Sequence, residues 1–314
     1  MLAPVEFSFQ RYLAAKKSVD DRALNKGVWE TLSGEVRRRP QESPLNILEI
    51  GAGIGTMLER MLEWGLLAQA HYTAIDSRAE NFITAMQRLP SWAVERNCAW
   101  EGAAGNTGII RQGGLQVEVQ FECIALADFI ARERGRRQWD LLVAHAFLDL
   151  VNVPQTLPHL FDLSAGDGLF YFTLNFDGKT ILEPAIDPAF DNLVESLYQR
   201  TMDERMIDGA PSGDSCTGRH LFQHLRQAGA VILGAGASDW VVCPRRGGYP
   251  HDEAYFLHFI VYTIHQALAG HPELDAARFA DWIAKRHAQI EAKELVYIAH
   301  QLDFVGRSRN AFGR

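Results

Sequence analysis

The stretch that decides the fold reads LNILEIGAGIGTMLERM, residues 45–61. Its first six residues form a short, mainly apolar run, as in a buried strand of a parallel sheet. Gly51, Gly53 and Gly55 follow at every second position, and the apolar residues after them recur at helical spacing. Glycines let the backbone approach a ligand closely, and the start of a helix offers free N–H groups. The stretch therefore predicts a nucleotide-binding corner made of a strand, a turn and a helix.

The spacing of these glycines distinguishes two kinds of nucleotide site. A dinucleotide fingerprint, G-x-G-x-x-G, has its third glycine three positions after the second. Here Gly55 comes two positions after Gly53, and the strand ends in the acid Glu49. This E-x-G-x-G-x-G pattern resembles motif I of the class I S-adenosylmethionine (SAM)-dependent methyltransferases. The resemblance implies that SAM is the cofactor, with its methionine part against the turn, and that Glu49, Gly51, Gly53 and Gly55 belong to its site.

Composition and charge narrow the classes of function. A chain of 314 residues that is 47% hydrophobic can bury a full α/β core, with length left for an elaboration. The net charge of −8 argues against an extended surface for DNA, although a small basic groove for RNA is left open. Four cysteines without a C-x-x-C pair argue against structural zinc and for a reducing compartment. With no signal peptide and no apolar run long enough to cross a membrane, we expect a cytoplasmic protein without a membrane partner.

The remaining strands follow from apolar runs along the chain. Runs that predict parallel strands lie at residues 71–75, 117–124, 140–144 and 169–174. Residues 229–237 and 239–244 predict an antiparallel hairpin, which is how this family closes its sheet. The expected fold is an α/β, Rossmann-like, seven-stranded methyltransferase sheet with N-terminal cap helices and a C-terminal helical extension.

The chain divides into three predicted segments. Residues 1–44 hold the cap helices, one or two of them within residues 7–39. Residues 45–250 form the methyltransferase domain, with an insertion at 178–218 that we expect to act as a lid. Residues 251–314 form a helical extension packed on the same domain. Residues 92–114 show weak periodicity and predict an irregular crossover.

The second strand ends at Asp76, which Ser77 follows. An acid placed 25 residues after Gly51 is suited to accept hydrogen bonds from two ribose hydroxyls. The sequence D-S-R-A-E also fits a helix N-cap, which is the structural alternative. The resemblance to motif II of the family favours Asp76, with Ser77, at the ribose.

Two further parts of the cofactor site come from the resemblance alone. The family often has an acid just past the third strand, facing the adenine amino group; this chain has Ala125 or Leu126 there, and Asp128 is the nearest acid. Asp128 also fits the start of the next helix. Many small-molecule members use an N-terminal helix as a cap, which would bring Tyr12 or Arg22 towards the SAM carboxylate. An amphipathic helix with its charges in water fits the same residues.

The methyl acceptor is expected beside the end of the fourth strand. His145 stands there, and its ordinary pKa near ~6.5 suits a general base, which is needed only if the acceptor is protonated. The alternative is that His145 only packs. Asp149 would orient His145 or be solvated. We expect Tyr12, Asn175 and Arg219 to complete the substrate pocket; Arg219 would pair a carboxylate or phosphate bidentately, or cap a loop through backbone carbonyls.

The predicted function is methyl transfer from SAM to an oxygen or nitrogen of a small molecule. The acidic charge, the insertion and the helical extension favour a small-molecule acceptor. A protein or RNA methyltransferase is one alternative, and a SAM-binding partner subunit without activity is another. We expect no metal, since the acid cluster of the catechol-type enzymes is missing, and no DNA partner; a homodimer stays open.

Overall fold

A computed structural model describes residues 7–40, 43–102, 105–207 and 209–308, which form ten α-helices and twelve β-strands. The helices are α1 Phe9–Ala23, α2 Lys26–Arg38, α3 Thr56–Glu63, α4 Ala79–Glu95, α5 Leu126–Glu133, α6 Val153–Asp162, α7 Pro188–Asp203, α8 Thr217–Gln227, α9 Glu253–Leu268 and α10 Ala276–Glu291. The strands are β1 Leu45–Ile50, β2 Gln69–Asp76, β3 Ala99–Gly102, β4 Thr107–Gln112, β5 Leu115–Cys123, β6 Trp139–His145, β7 Ser164–Glu183, β8 Met206–Ile207, β9 Ala210–Pro211, β10 Val231–Ala237, β11 Trp240–Val242 and β12 Val296–Arg307.

The central sheet has the predicted arrangement. Its parallel strands lie in the order β5-β2-β1-β6-β7, and β12 and β10 continue the sheet beyond β7. Among these seven strands, β12 alone runs in the opposite direction to the other six. Numbered along the chain, the seven strands therefore lie in the order 3-2-1-4-5-7-6. The expected Rossmann-like methyltransferase sheet is confirmed, and β1 leads into the glycine turn at its centre.

The closing strand is not where the sequence analysis places it. Residues 239–244 contribute only β11, which pairs with β12 and not with β10. The seventh strand is β12, from a segment predicted as helix, so the C-terminal extension holds two helices and a strand of the main sheet. Burial alternates along the first half of β12, which is the period of a strand. Its pairing with β7 and β10, more than 50 residues away in the sequence, is what the local pattern could not show.

Residues 92–114 are also more regular than predicted. Helix α4 continues to Glu95, and β3 and β4 form an antiparallel hairpin that extends the sheet beyond β5. These strands are short and partly exposed, so they leave little hydrophobic pattern in the sequence.

Three hydrophobic clusters hold the molecule together. One lies on the face of the sheet that α2, α3 and α4 cover, and a second lies on the face that α5, α6 and α8 cover. The third, which we call the upper cluster, is formed by α1, α7, α9, α10 and the ends of β7 and β12. β7 reaches ten residues past Thr173, the partner of the last residue of β6. The upper cluster therefore stands above the carboxyl ends of the parallel strands.

Two further segments flank the sheet, namely the N-terminal segment and the insertion. The N-terminal segment forms α1 and α2, as predicted. The insertion contains the end of β7, α7 and the small β8–β9 hairpin. Its role as a lid, like the division of the chain into three segments, stays a prediction.

Candidate functional site

The glycine turn has the backbone conformation that its sequence requires. Gly51, Gly53 and Gly55 have φ angles of +67°, +56° and +84°, which side chains disfavour. A Cβ atom at Gly51 would lie 2.4 Å from the ring of Phe147, and one at Gly53 would lie 3.3 Å from Leu13. The turn is thus a backbone surface without side chains, covered by one residue of α1 and one from the turn after β6.

Glu49 lies beneath this turn and not on its surface. Its side chain is buried and accepts a hydrogen bond of 2.7 Å from the Tyr72 hydroxyl. Burial raises the pKa of Glu49 to about 8, although the bond from Tyr72 and the charge of Arg60 oppose the shift. The carboxyl group is therefore mostly protonated at neutral pH and lies within the core, and its contact with SAM stays a prediction.

Asp76 joins the glycine turn to the start of α4. One of its carboxylate oxygens accepts from the backbone N–H of Gly53 at 2.9 Å. The other accepts from the backbone N–H of Arg78 at 2.8 Å and from the Asn81 amide at 3.2 Å. Asp76 is therefore not the N-cap of α4, which is Arg78 without a side-chain cap hydrogen bond. The ribose role of Asp76 stays a prediction. Ser77 is exposed next to it.

The end of the third parallel strand lies beside Asp76. The backbone N–H of Ile124 donates to the Asp76 carbonyl at 2.9 Å, and α5 begins at Leu126 with Ala125 as its N-cap. Ala125 and Asp128 are exposed, and Asp128 lies in the first turn of α5. The three predicted adenine-site residues thus lie at one edge, and their contact with adenine stays a prediction.

Helix α1 covers this edge of the sheet. Arg78 lies over the ring of Phe9 at 4.5 Å, and the Gln10 amide donates to Asn81 at 3.0 Å. With Leu13 over Gly53, three residues near the start of α1 hold it against the glycine turn and the start of α4. Helix α1 therefore lies over the glycine turn, and its role as a cap over the cofactor stays a prediction.

The buried face of α1 carries a charged group to the end of β6. Asp20 accepts from the Lys16 ammonium at 2.6 Å and from the Trp240 indole at 2.9 Å, and it lies 3.0 Å from His145 Nε2. His145 Nδ1 lies 2.8 Å from the Thr173 hydroxyl. All five residues are buried. Both ring nitrogens of His145 thus have protein partners, and neither partner is Asp149.

The electrostatics of this group favour a neutral histidine. Burial and the nearby Lys16 ammonium lower the pKa of His145 to about 4, against the opposing effect of Asp20. Burial alone would raise the pKa of Asp20, but Lys16 and His145 outweigh it and hold that pKa well below its usual range. With Nε2–H donating to Asp20, Nδ1 accepts from Thr173. This geometry favours the packing interpretation of His145; its role as a base stays a prediction.

The other predicted contact residues have partners of their own. Tyr12 stacks on Phe259 with ring centroids 4.3 Å apart. Buried Asn175 donates to two backbone carbonyls. Arg219 pairs with the Asp177 carboxylate at 2.7 Å and also donates to the Asp177 carbonyl, which is the loop-capping alternative.

Arg22 is also engaged within the protein. It makes two hydrogen bonds, of 2.5 and 2.9 Å, to the fully buried Glu253 at the start of α9. The pair fixes α1 to α9. A contact between Arg22 and the SAM carboxylate, like the substrate roles of Tyr12, Asn175 and Arg219, stays a prediction.

Several site residues were missed by the sequence analysis. Lys16 and Asp20 are spaced four apart on α1, and their spacing with Val19 places two charges on an apolar face, which is a signal that was available. Thr173 and Trp240 gave no signal, because their places beside His145 and Asp20 depend on β7 and β11. Among the described residues no group of three His, Cys, Asp or Glu is placed to hold a metal ion. No described helix combines the length and apolarity needed to cross a membrane.

Comparison with known proteins gives likeness only at low identity. A SAM-dependent methyltransferase from Thiobacillus denitrificans, solved with S-adenosylhomocysteine, is 13% identical with a TM-score of 0.46, over 97% of this chain and 100% of that chain. The cyclopropane synthase MmaA2 from Mycobacterium tuberculosis is 6% identical with a TM-score of 0.44, over 96% and 99%. YjhP from E. coli is 14% identical with a TM-score of 0.45, over 95% and 99%. No family model matches the chain, and no curated protein sequence matches it. Likeness at this level does not identify an activity, and the fold assignment rests on the strand order.

Proposed function

We propose that this protein is a SAM-dependent methyltransferase that acts on a small molecule. The proposal rests on the corner at the centre of the sheet, where a hydrogen bond joins Asp76 to the glycine turn. There the carboxylate of Asp76, at the end of β2, lies 2.9 Å from the backbone nitrogen of Gly53, at the end of β1. A nucleoside lying across the two strand ends would meet a glycine backbone and a carboxylate together, as open α/β sheets bind ligands.

The donor groups fit SAM better than a dinucleotide. The third glycine comes two positions after the second, and Gly55 is itself the N-cap of α3. The turn presents backbone without side chains to the amino-acid part of the cofactor, and Asp76 suits the ribose hydroxyls. The exposed edge formed by Ser77 and Ala125 suits the adenine ring.

When SAM is bound, it supplies an activated methyl group, so the chain has to position the acceptor and exclude water. Leu13 and Phe147 cover the glycine turn, so a nucleoside enters only if α1 and the turn after β6 move aside. When α1 has returned to its position, Asp20 and its buried partners exclude water from the edge of the sheet at β6. His145, neutral and held on both sides, fixes the position of Thr173 and Asp20 at this edge.

Calorimetric titration tests the cofactor assignment. We expect the full chain to bind SAM and S-adenosylhomocysteine and not NADH. Asp76→Ala should cost about 1.5–3 kcal/mol of affinity, the range for a hydrogen bond to a charged group. Binding of NADH without SAM would contradict the proposal.

A matched pair of ligands separates the ribose role of Asp76 from its structural role of joining the glycine turn to Arg78. Adenosine should bind the wild type more tightly than 2′-deoxyadenosine, and Asp76→Ala should remove that preference. If the preference survives while the melting temperature falls, Asp76 has the structural role only. Asn81→Ala, which removes a partner of Asp76 but no carboxylate, is the control.

A further inference from the structure

Strand β10 forms one end of the main sheet. It pairs with β12 along its inner edge, and no strand of the described residues pairs with its outer edge. The carbonyl of Ala237 accepts a hydrogen bond from the Asn25 amide, which marks the end of the unpaired stretch. An edge strand of this kind presents a row of backbone N–H and C=O groups with which a further strand can pair.

The opposite end of the sheet is built differently. Strand β3 has four residues, and its Glu101 forms an ion pair with Arg111 of β4. A short edge strand that carries charge disfavours contact with another chain. β10 has seven residues, reads VILGAGA, and contains no charge and no proline. The bulge at Leu233, which has no partner in β12, bends β10 but adds no charge, so β10 lacks the protection that β3 has.

Large apolar side chains are exposed beside the outer edge of β10. Val231 is 39% exposed, and Leu233 is 37% exposed. Phe222 of α8 is 40% exposed, and its ring packs on that of Phe304 in β12 with the centroids 4.8 Å apart. Since Phe304 pairs with Ala235, Phe222 lies beside the middle of β10. Exposed apolar residues along an unpaired strand edge are typical of a contact between proteins.

The sequence of β10 is complementary to itself when the strand is reversed. Its first three residues are large, its last three are small, and Gly234 lies between them. In an antiparallel pair of two copies about a two-fold axis at Gly234, each large residue of one copy lies opposite a small residue of the other. The opposed residues are Val231 and Ala237, Ile232 and Gly236, and Leu233 and Ala235.

We propose that β10 pairs with β10 of a second copy of this chain, so that the protein is a two-fold homodimer with one sheet running through both subunits. A two-fold contact uses the β10 edge of both copies, so association ends at the dimer. Strands β12, β7 and β6 separate β10 from the glycine corner at β1 and β2. The contact therefore lies away from both cofactor corners and does not depend on the proposed function.

Sedimentation velocity on the full chain tests the contact. At about 50 µM, above a dissociation constant in the micromolar range, the wild type should sediment with twice the mass of one chain. Leu233→Lys places a charge on the edge of each copy and should weaken association at least about tenfold. Val94→Lys, at a residue of α4 that is 72% exposed, should leave association unchanged. A monomeric wild type, open oligomers larger than a dimer, or equal association in Leu233→Lys would overturn the inference.

Two further measurements separate the contact from an effect on folding. Val231→Lys, at a second exposed position of the edge, should weaken association as Leu233→Lys does, and both variants should melt within about 2 °C of the wild type at low concentration. Hydrogen–deuterium exchange of the wild type is compared at about 1 and about 50 µM. Exchange in β10 should be slower at the higher concentration, and exchange in β3 should be the same at both. A dimer in which β10 exchanges equally at both concentrations uses another interface, and the inference fails even if the variants do not fold.

Discussion

The two halves of the carboxyl edge of the sheet are built by different means. In the half formed by β1, β2 and β5, polar groups bond to backbone close by in the sequence, as Asp76 does to Gly53 and Arg78. In the half formed by β6, β7 and β12, side chains far apart in the sequence meet, as Asp20 does with His145 and Trp240. In the first half, the hydrogen bonds of Asp76 join residues that all lie between positions 53 and 81. The second half exists only when α1, β7 and β11 are all in place.

The largest expected effect comes from a substitution in the second half of the edge, where Asp20 lies. Asp20→Ala should lower the free energy of unfolding by about 3–5 kcal/mol, because it leaves the buried charges of Lys16 and Arg60 without this carboxylate. Chemical denaturation measures the loss. Asp252→Ala removes an exposed carboxylate that pairs with Arg11 and should change stability by less than about 0.5 kcal/mol. A loss below about 1 kcal/mol for Asp20→Ala would show that the buried group does not hold α1 in place.

The next prediction concerns the first half of the edge, which contains the glycine turn. Gly53→Val places a β-branched side chain at a φ of +56°, 3.3 Å from Leu13, on the surface proposed for the cofactor. SAM affinity should fall by at least about tenfold in calorimetry. Gly65→Val, at another glycine with positive φ but with open space around it, controls for backbone strain. Equal affinity in Gly53→Val and the wild type would remove the glycine turn from the cofactor site.

The smallest expected effect is a change with pH in the free energy of unfolding, caused by Glu49 in β1. Glu49 has a pKa of about 8 in the folded protein, raised from an ordinary value of 4.5. A carboxyl with a raised folded pKa contributes stability below pH 4.5 that is lost as the pH rises towards 8. The wild type should therefore lose about 1 kcal/mol more than Glu49→Gln between pH 5 and pH 6, measured by denaturation. If the stability of the two proteins changes with pH in parallel, the pKa of Glu49 is not raised in the folded protein.

The same contrast explains what the sequence could predict. The glycine turn and Asp76 lie within 26 residues, and their types and spacing alone indicate a corner for a nucleoside. The parallel strands were likewise visible as apolar runs. The sequence predicts helix where β12 lies, because a strand paired through long-range contacts leaves only weak alternation in the sequence.

The partners of the predicted site residues show the same limit. His145 was found by its position after the fourth strand, but Asp20 lies 125 residues away from it and Thr173 lies 28. Arg22 and Arg219 were chosen for their charge, and the structure pairs them with Glu253 and Asp177. Sequence spacing cannot show which acid an arginine meets, because that depends on how α1 packs on α9 and how α8 packs on β7.

Hydrogen–deuterium exchange with and without S-adenosylhomocysteine tests the central claim most directly, because it locates the cofactor on the chain. The account predicts that the ligand slows exchange in residues 51–58, in residues 76–82 and in α1, the three segments that meet at the glycine corner. Exchange in α10, which lies in the upper cluster away from that corner, should stay unchanged. If the ligand binds but protects none of the three segments, SAM does not bind at the glycine turn, and the account is contradicted.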